Sequence, residues 1–81
     1  MTYTQLIAAA MLKMGDNDRP GALADFEASL AEARGIDPGG PREAEVLNYM
    51  SLFHEQGGEA AEAARCREAA AVIFAKFEEI P

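Results

Sequence analysis

The chain has 81 residues, with 14 acidic and 7 basic side chains and a formal net charge of −7. That length limits it to one domain with a modest core. The charge argues against a phosphate backbone or an anionic membrane surface as partner, since both need clustered Lys and Arg. A single cysteine, Cys66, builds neither a disulfide framework nor a cysteine metal site, so a reducing, cytoplasmic setting is expected. The Met1-Thr2-Tyr3-Thr4-Gln5 start lacks the basic and apolar regions of a signal peptide, and no apolar run approaches a membrane span.

Three clusters of turn-forming residues divide the chain: Gly15-Asp16-Asn17-Asp18, Gly35 to Pro41, and Gly57-Gly58. The first predicted helix runs from about Thr2 to Met14. Thr2 and Gln5 have capping-box spacing, and Gly15 suits a left-handed residue after the helix. The second runs from about Arg19 to Arg34, capped by Asp18 and followed by Gly35, with Pro20 tolerated in its first turn. Its apolar stripe is Ala22, Leu23, Phe26, Leu30 and Ala33.

Proline opens the third, from about Pro41 to Gln56, whose stripe includes Val46, Leu47, Met50 and Phe53. The fourth runs from about Glu59 to Glu79, with Ala63, Ala70, Ile73, Phe74 and Phe77 on one face. Within it, Ala69 to Ala75 is apolar all round, so it expects cover on more than one side. No stretch alternates in the manner of a strand. The expected fold is all-α, with four antiparallel helices in two helix-turn-helix units, about 2–35 and 41–79, forming one domain over 1–81.

An internal repeat accompanies this pattern. Ala22-Leu23-x-x-Phe26-x-x-Ser29-Leu30 returns 41 residues later as Ala63-Ala64-x-x-Arg67-x-x-Ala70-Ala71. Each run opens the second helix of a pair and follows a turn. Small residues recur where two helices must approach closely.

These residues resemble the tetratricopeptide repeat, most closely the longer version of kinesin light chains. Leu47-Asn48-Tyr49-Met50-Ser51-Leu52-Phe53-His54 is similar to that family's Leu-Asn-x-Leu-Ala-x-Leu-Tyr helix. Gln56-Gly57-Gly58-Glu59-x-x-Glu62-Ala63 is similar to its turn and second-helix start. Unit one departs from the pattern: it lacks the Leu-Asn run, and Asn17 to Gly21 makes its turn about two residues longer. In unit two His54 replaces the usual tyrosine, and Arg67 an apolar or aromatic residue.

The resemblance implies a non-catalytic module that binds a peptide or partner protein in a groove lined by the first helix of each pair. Carried over, it implies Asn48 as a side chain that holds a peptide backbone, with Leu52 and Glu55 toward the same face. Gln5, Ala9 and Leu12 are the equivalent places in the first helix. A surface or inter-helix hydrogen bond is the competing reading of Asn48.

Two units are few for a solenoid, and the last helix is the least polar stretch, unlike a polar cap. Val72, Ile73, Phe74 and Phe77 are therefore candidates for an assembly face toward a second copy or a partner. Filling of the four-helix core is the alternative for the same side chains. Two further function classes stay open: a homo-oligomerising assembly or regulatory subunit, and an acidic decoy of a basic surface.

Other chemistry finds little support. Asp16, Asp18, Gly21, Leu23 and Glu27 fall at the spacing of a calcium-binding EF-hand, but Pro20 stands where an oxygen-bearing side chain belongs. Cys66 lies between Arg65 and Arg67, whose charges would lower its pKa, but only His54 could serve as its base and no third group is evident, so packing is the simpler role. Neither a catalytic residue, a metal site nor a cofactor is expected.

Overall fold

The computed structural model describes residues 1–78; the predicted end of the fourth helix at Glu79 lies outside the described residues. Four helices follow in chain order: α1 (Tyr3–Gly15), α2 (Arg19–Ile36), α3 (Pro41–Gln56) and α4 (Ala60–Glu78). No strand occurs among the described residues. The fold is all-α.

Local chemistry sets the helix starts. Thr2 caps α1 through a complete capping box: the Gln5 backbone N–H donates to Thr2 Oγ1 at 3.2 Å, and the Thr2 N–H donates to Gln5 Oε1 at 2.9 Å. At α2 the Gly21 N–H donates to Asp18 Oδ1 at 3.1 Å, and Pro20 sits in the first turn, where no intrahelical donor is needed. Pro41 opens α3 after Gly40 for the same reason.

The helix ends differ from expectation in one respect. Gly15 and Gly35 both lie inside helices, not just beyond them. The left-handed residue of the first turn is Asn17 (φ 60°), and that of the α2–α3 linker is Gly39 (φ 73°). Asparagine tolerates this conformation better than most side chains, so the turn does not need a glycine there.

α1 packs antiparallel on α2, and α3 on α4. α3 also contacts both α2 and, more sparingly, α1, so the two hairpins lie side by side with α2 and α3 at their junction. The principal-axis extents, 44 × 29 × 14 Å, describe a thin slab, two helix layers deep.

The core is continuous across the junction. Ile7, Ala10, Ala22, Phe26, Ala33, Val46, Met50 and Phe53 form one buried cluster. Ala44, Leu47, Ala70 and Ile73 form a second within the second hairpin, and Leu30 packs against both. Phe26 and Phe53 meet edge to face across the junction, with ring centroids 5.7 Å apart, a favoured aromatic geometry. The small residues of the repeat are buried where helices close on each other: Ala22 and Ser29 in α2, Ala63 and Ala70 in α4.

The repeat extends to the turns. In the first, the Asp16 N–H donates to Leu12 and Lys13 carbonyls, Asn17 to Met14, and Asp18 to Lys13 at 2.8 Å. In the second, Gly57 donates to Phe53 and His54, Gly58 to Glu55, and Glu59 to His54, again at 2.8 Å. Every donor and acceptor is displaced by the same 41 residues, and Asn17 matches Gly58, which is also left-handed at φ 73°. The two turns are therefore equal in length, correcting the expectation that the first is longer.

Candidate functional site

Equal turns fix which residues of the two first helices correspond. Asn48, Leu52 and Glu55 of α3 match Ile7, Met11 and Met14 of α1 in the turn-to-turn register. Gln5, Ala9 and Leu12 instead match Val46, Met50 and Phe53, the side of α3 that packs on the first hairpin. In α1 that side has no neighbouring hairpin, and Leu12 is 73% exposed. The structure thus moves the α1 contribution two residues along, from Gln5, Ala9 and Leu12 to the Ile7–Met11 face.

That face forms a groove. Thr4, Ile7, Ala8 and Met11 of α1 and Glu45 and Tyr49 of α3 line an open hollow of about 300 Å³. The floor is apolar, with Ile7 buried in the core and Tyr49 packed against it. Thr4 and Glu45 are repeat-equivalent positions, as are Ala8 and Tyr49, so the groove runs between matching faces of the two first helices. Small Ala8 opposite large Tyr49 leaves the hollow unfilled.

Glu45 gives the groove its charge. Tyr3 Oη donates to Glu45 Oε2 at 3.1 Å, linking the two hairpins at one end of the hollow. Burial, together with this carboxylate, pushes the Tyr3 hydroxyl above its ordinary pKa, which keeps it a donor. Glu45 and Glu43 are the half-buried glutamates among the described residues. Glu43 pairs with Arg34 at 3.2 Å, whereas Glu45 forms no ion pair within 4 Å among the described residues, and Arg42 acts on the Tyr3 hydroxyl beside it.

Asn48 and Leu52 are exposed, each one helical turn from a lining residue, and so stand beside the groove on α3. The Asn48 carbonyl accepts from Ser51 Oγ at 2.6 Å. Glu55 faces α4, where Arg67 Nη1 donates to its Oε1 at 2.7 Å. This ion pair stands where the first hairpin has Met14 and Phe26, which α3 covers.

A second hollow of about 300 Å³ lies at the other end of the junction, among Arg19, Pro20, Leu23, Phe53, His54 and Glu59. Here Arg19 clamps the start of α2 to the α3–α4 turn. Its guanidinium stacks 4.1 Å over the Phe53 ring, donates to the Phe53 carbonyl at 3.3 Å, and pairs with Glu59 at 2.6 Å. His54 Nδ1 lies 2.9 Å from the same Glu59 oxygen, and its ring meets Phe53 edge to face. The His54 hydrogen bond, with the Arg19 charge, holds the Glu59 carboxyl below its usual range. A Cβ on Gly57 would collide with the Arg19 guanidinium, so glycine at that place leaves room for the clamp. His54 is therefore part of a packed hairpin junction.

The predicted assembly face divides. Ile73 is 5% exposed and belongs to the second core cluster, so it leaves that face. Val72 is 60% exposed, and Phe74 and Phe77 remain exposed toward the end of α4. Val72 and Phe74 flank Ile73, which packs on Ala44 and Leu47 of α3, and so lie on faces of α4 that α3 does not cover.

The remaining reactive groups have structural places. Asp18 caps α2. Cys66 is half-buried against the main core, and burial raises its thiol pKa despite Arg65 and Arg67 nearby. Among the described residues no three His, Cys, Asp or Glu side chains are grouped to hold a metal ion, and no helix is long and apolar enough to cross a membrane.

Compared with family models, with curated proteins and with solved structures, the chain finds no significant match in any of the three.

Proposed function

We propose that this chain is a protein–protein interaction module of tetratricopeptide type, without catalytic activity, that seats a peptide segment in the groove between α1 and α3. One observation carries the reading. The turns of the two hairpins repeat bond for bond at 41 residues, and the hairpins stack so that matching faces of their first helices flank an open apolar hollow. An apolar floor with a few polar groups at its rim is the usual make-up of a site that takes a side chain from another molecule. Asn48, exposed beside the hollow, supplies an amide able both to donate to and to accept from a peptide backbone. The lone, half-buried cysteine fits a reducing, cytoplasmic setting.

Selection from a displayed library of random peptides tests this. The groove reading expects a reproducible apolar consensus whose binding is lost in Ala8→Arg and Met11→Arg and weakened in Asn48→Ala, with helicity unchanged by circular dichroism. Selected peptides that bind these variants as tightly as the native chain would refute it.

A second reading is favoured by the exposed Val72, Phe74 and Phe77: that the end of α4 joins a second copy or a partner protein. Sedimentation at rising concentration checks it. Self-association that disappears in Phe74→Glu supports this reading, and a monomer throughout excludes the second copy.

A further inference from the structure

Glu45 has a feature that groove shape alone leaves unexplained. It is half-buried beside an apolar floor, it is the one charged side chain lining the hollow, one oxygen accepts from Tyr3, and it forms no ion pair within 4 Å among the described residues, with Arg42 turned to the Tyr3 hydroxyl one turn earlier on α3. Of the other half-buried carboxylates, Glu43 pairs with Arg34 and Asp25 with Lys13, while Asp37, in the α2–α3 linker and away from the hollow, has no ion pair. A carboxylate partly withdrawn from water loses hydration, and a positive charge brought to it recovers that loss.

Resting on the groove reading above, we infer that the occupant of the groove is a peptide carrying a Lys or Arg side chain for Glu45 beside an apolar side chain for the Ile7–Met11–Tyr49 floor. Charge complementarity selects this partner over an acidic or neutral one. The net charge of −7 draws basic segments toward the chain before contact, and Glu45 then fixes their register. Geometry supplies a spacing. Glu45 and Tyr49 stand four residues apart on α3, about 6 Å along the helix axis. Two residues of extended peptide span about 6.7 Å, so a cation and an apolar residue separated by one position match the two places.

Fluorescence anisotropy with the full chain tests the pairing. The probes are a labelled Ser/Gly peptide containing Lys-Ser-Leu and its counterpart with norleucine for lysine, which keeps the aliphatic stem and removes the charge. The native chain is expected to favour the lysine peptide about fivefold at low salt. Glu45→Gln, which keeps an acceptor for the Tyr3 hydroxyl, is expected to abolish that preference without changing affinity for the norleucine peptide. Equal binding of both peptides to the native chain, or a preference that survives Glu45→Gln, would overturn the inference and leave the groove reading standing. Ala8→Arg separates the two: if both peptides bind this variant undiminished, the groove reading itself fails. No binding of either peptide to the native chain overturns both.

Discussion

Phe26 and Arg67 occupy the same place in the repeat and have opposite fates, so truncating each to alanine tests the stacked arrangement. Phe26 is fully buried and meets Phe53 across the junction, whereas Arg67 is exposed and pairs with Glu55 of its own hairpin. Removing a buried phenylalanine costs about 3–5 kcal/mol, counting the lost transfer energy and the cavity left behind. A chain of this size has a total stability of roughly 4–12 kcal/mol. Phe26→Ala therefore leaves the fold near its unfolding point, partly unfolded at room temperature if the native value is in the lower half of that range. Arg67→Ala removes a surface ion pair and should cost under about 1 kcal/mol. Urea unfolding followed by far-ultraviolet circular dichroism reads both. A loss below about 1 kcal/mol for Phe26→Ala, or equal losses at the two positions, would refute the claim that α3 covers one and nothing covers the other.

Three other outcomes follow from particular residues. Gly58→Ala should destabilise the chain by about 1–2 kcal/mol, because alanine must adopt the left-handed conformation of the second turn, while Asn17→Gly at the matching place should be neutral or slightly stabilising; thermal unfolding compares them. Glu59 has a folded pKa below its unfolded one, so its pairing stabilises the chain above the unfolded carboxylate pKa, and this contribution is lost as pH falls through the folded value. Urea midpoints of the native chain should therefore drop more than those of Glu59→Gln between neutral and acidic pH. The Cys66 thiol, raised by burial, should react with iodoacetamide more slowly than a free cysteine at mildly alkaline pH, and at the free rate once urea unfolds the chain.

Much of the fold is legible in the residues because local signals agree. The Thr2–Gln5 capping box, the Asp18 cap, Pro41 and the buried stripes of α2 and α3 all lie where helix chemistry places them. Gly15 and Gly35 mislead because a glycine can end a helix or ride within its last turn, and only the turn hydrogen bonds decide which. With Asn17 in the left-handed place, the first turn closes as tightly as the second. The groove was harder to read for a related reason. Ile7 and Asn48, or Met14 and Glu55, share a repeat position but no chemistry, since a neighbouring hairpin covers the first of each pair and not the second. Gln5, Ala9 and Leu12 therefore stand two residues off the turn-to-turn register. Glu45 carried no signal of its own: one more glutamate in an acidic helix becomes distinctive only when Tyr3 and the apolar floor are placed beside it.

Side-by-side stacking of the two hairpins underlies the groove, the clamp and the proposed partner. Nuclear Overhauser contacts on the isotope-labelled chain at low concentration probe it directly. Stacking predicts cross-hairpin contacts between the Phe26 and Phe53 rings and between the Tyr3 ring and the Glu45 side chain. Contacts confined to α1–α2 and α3–α4, with none between the hairpins, would contradict it.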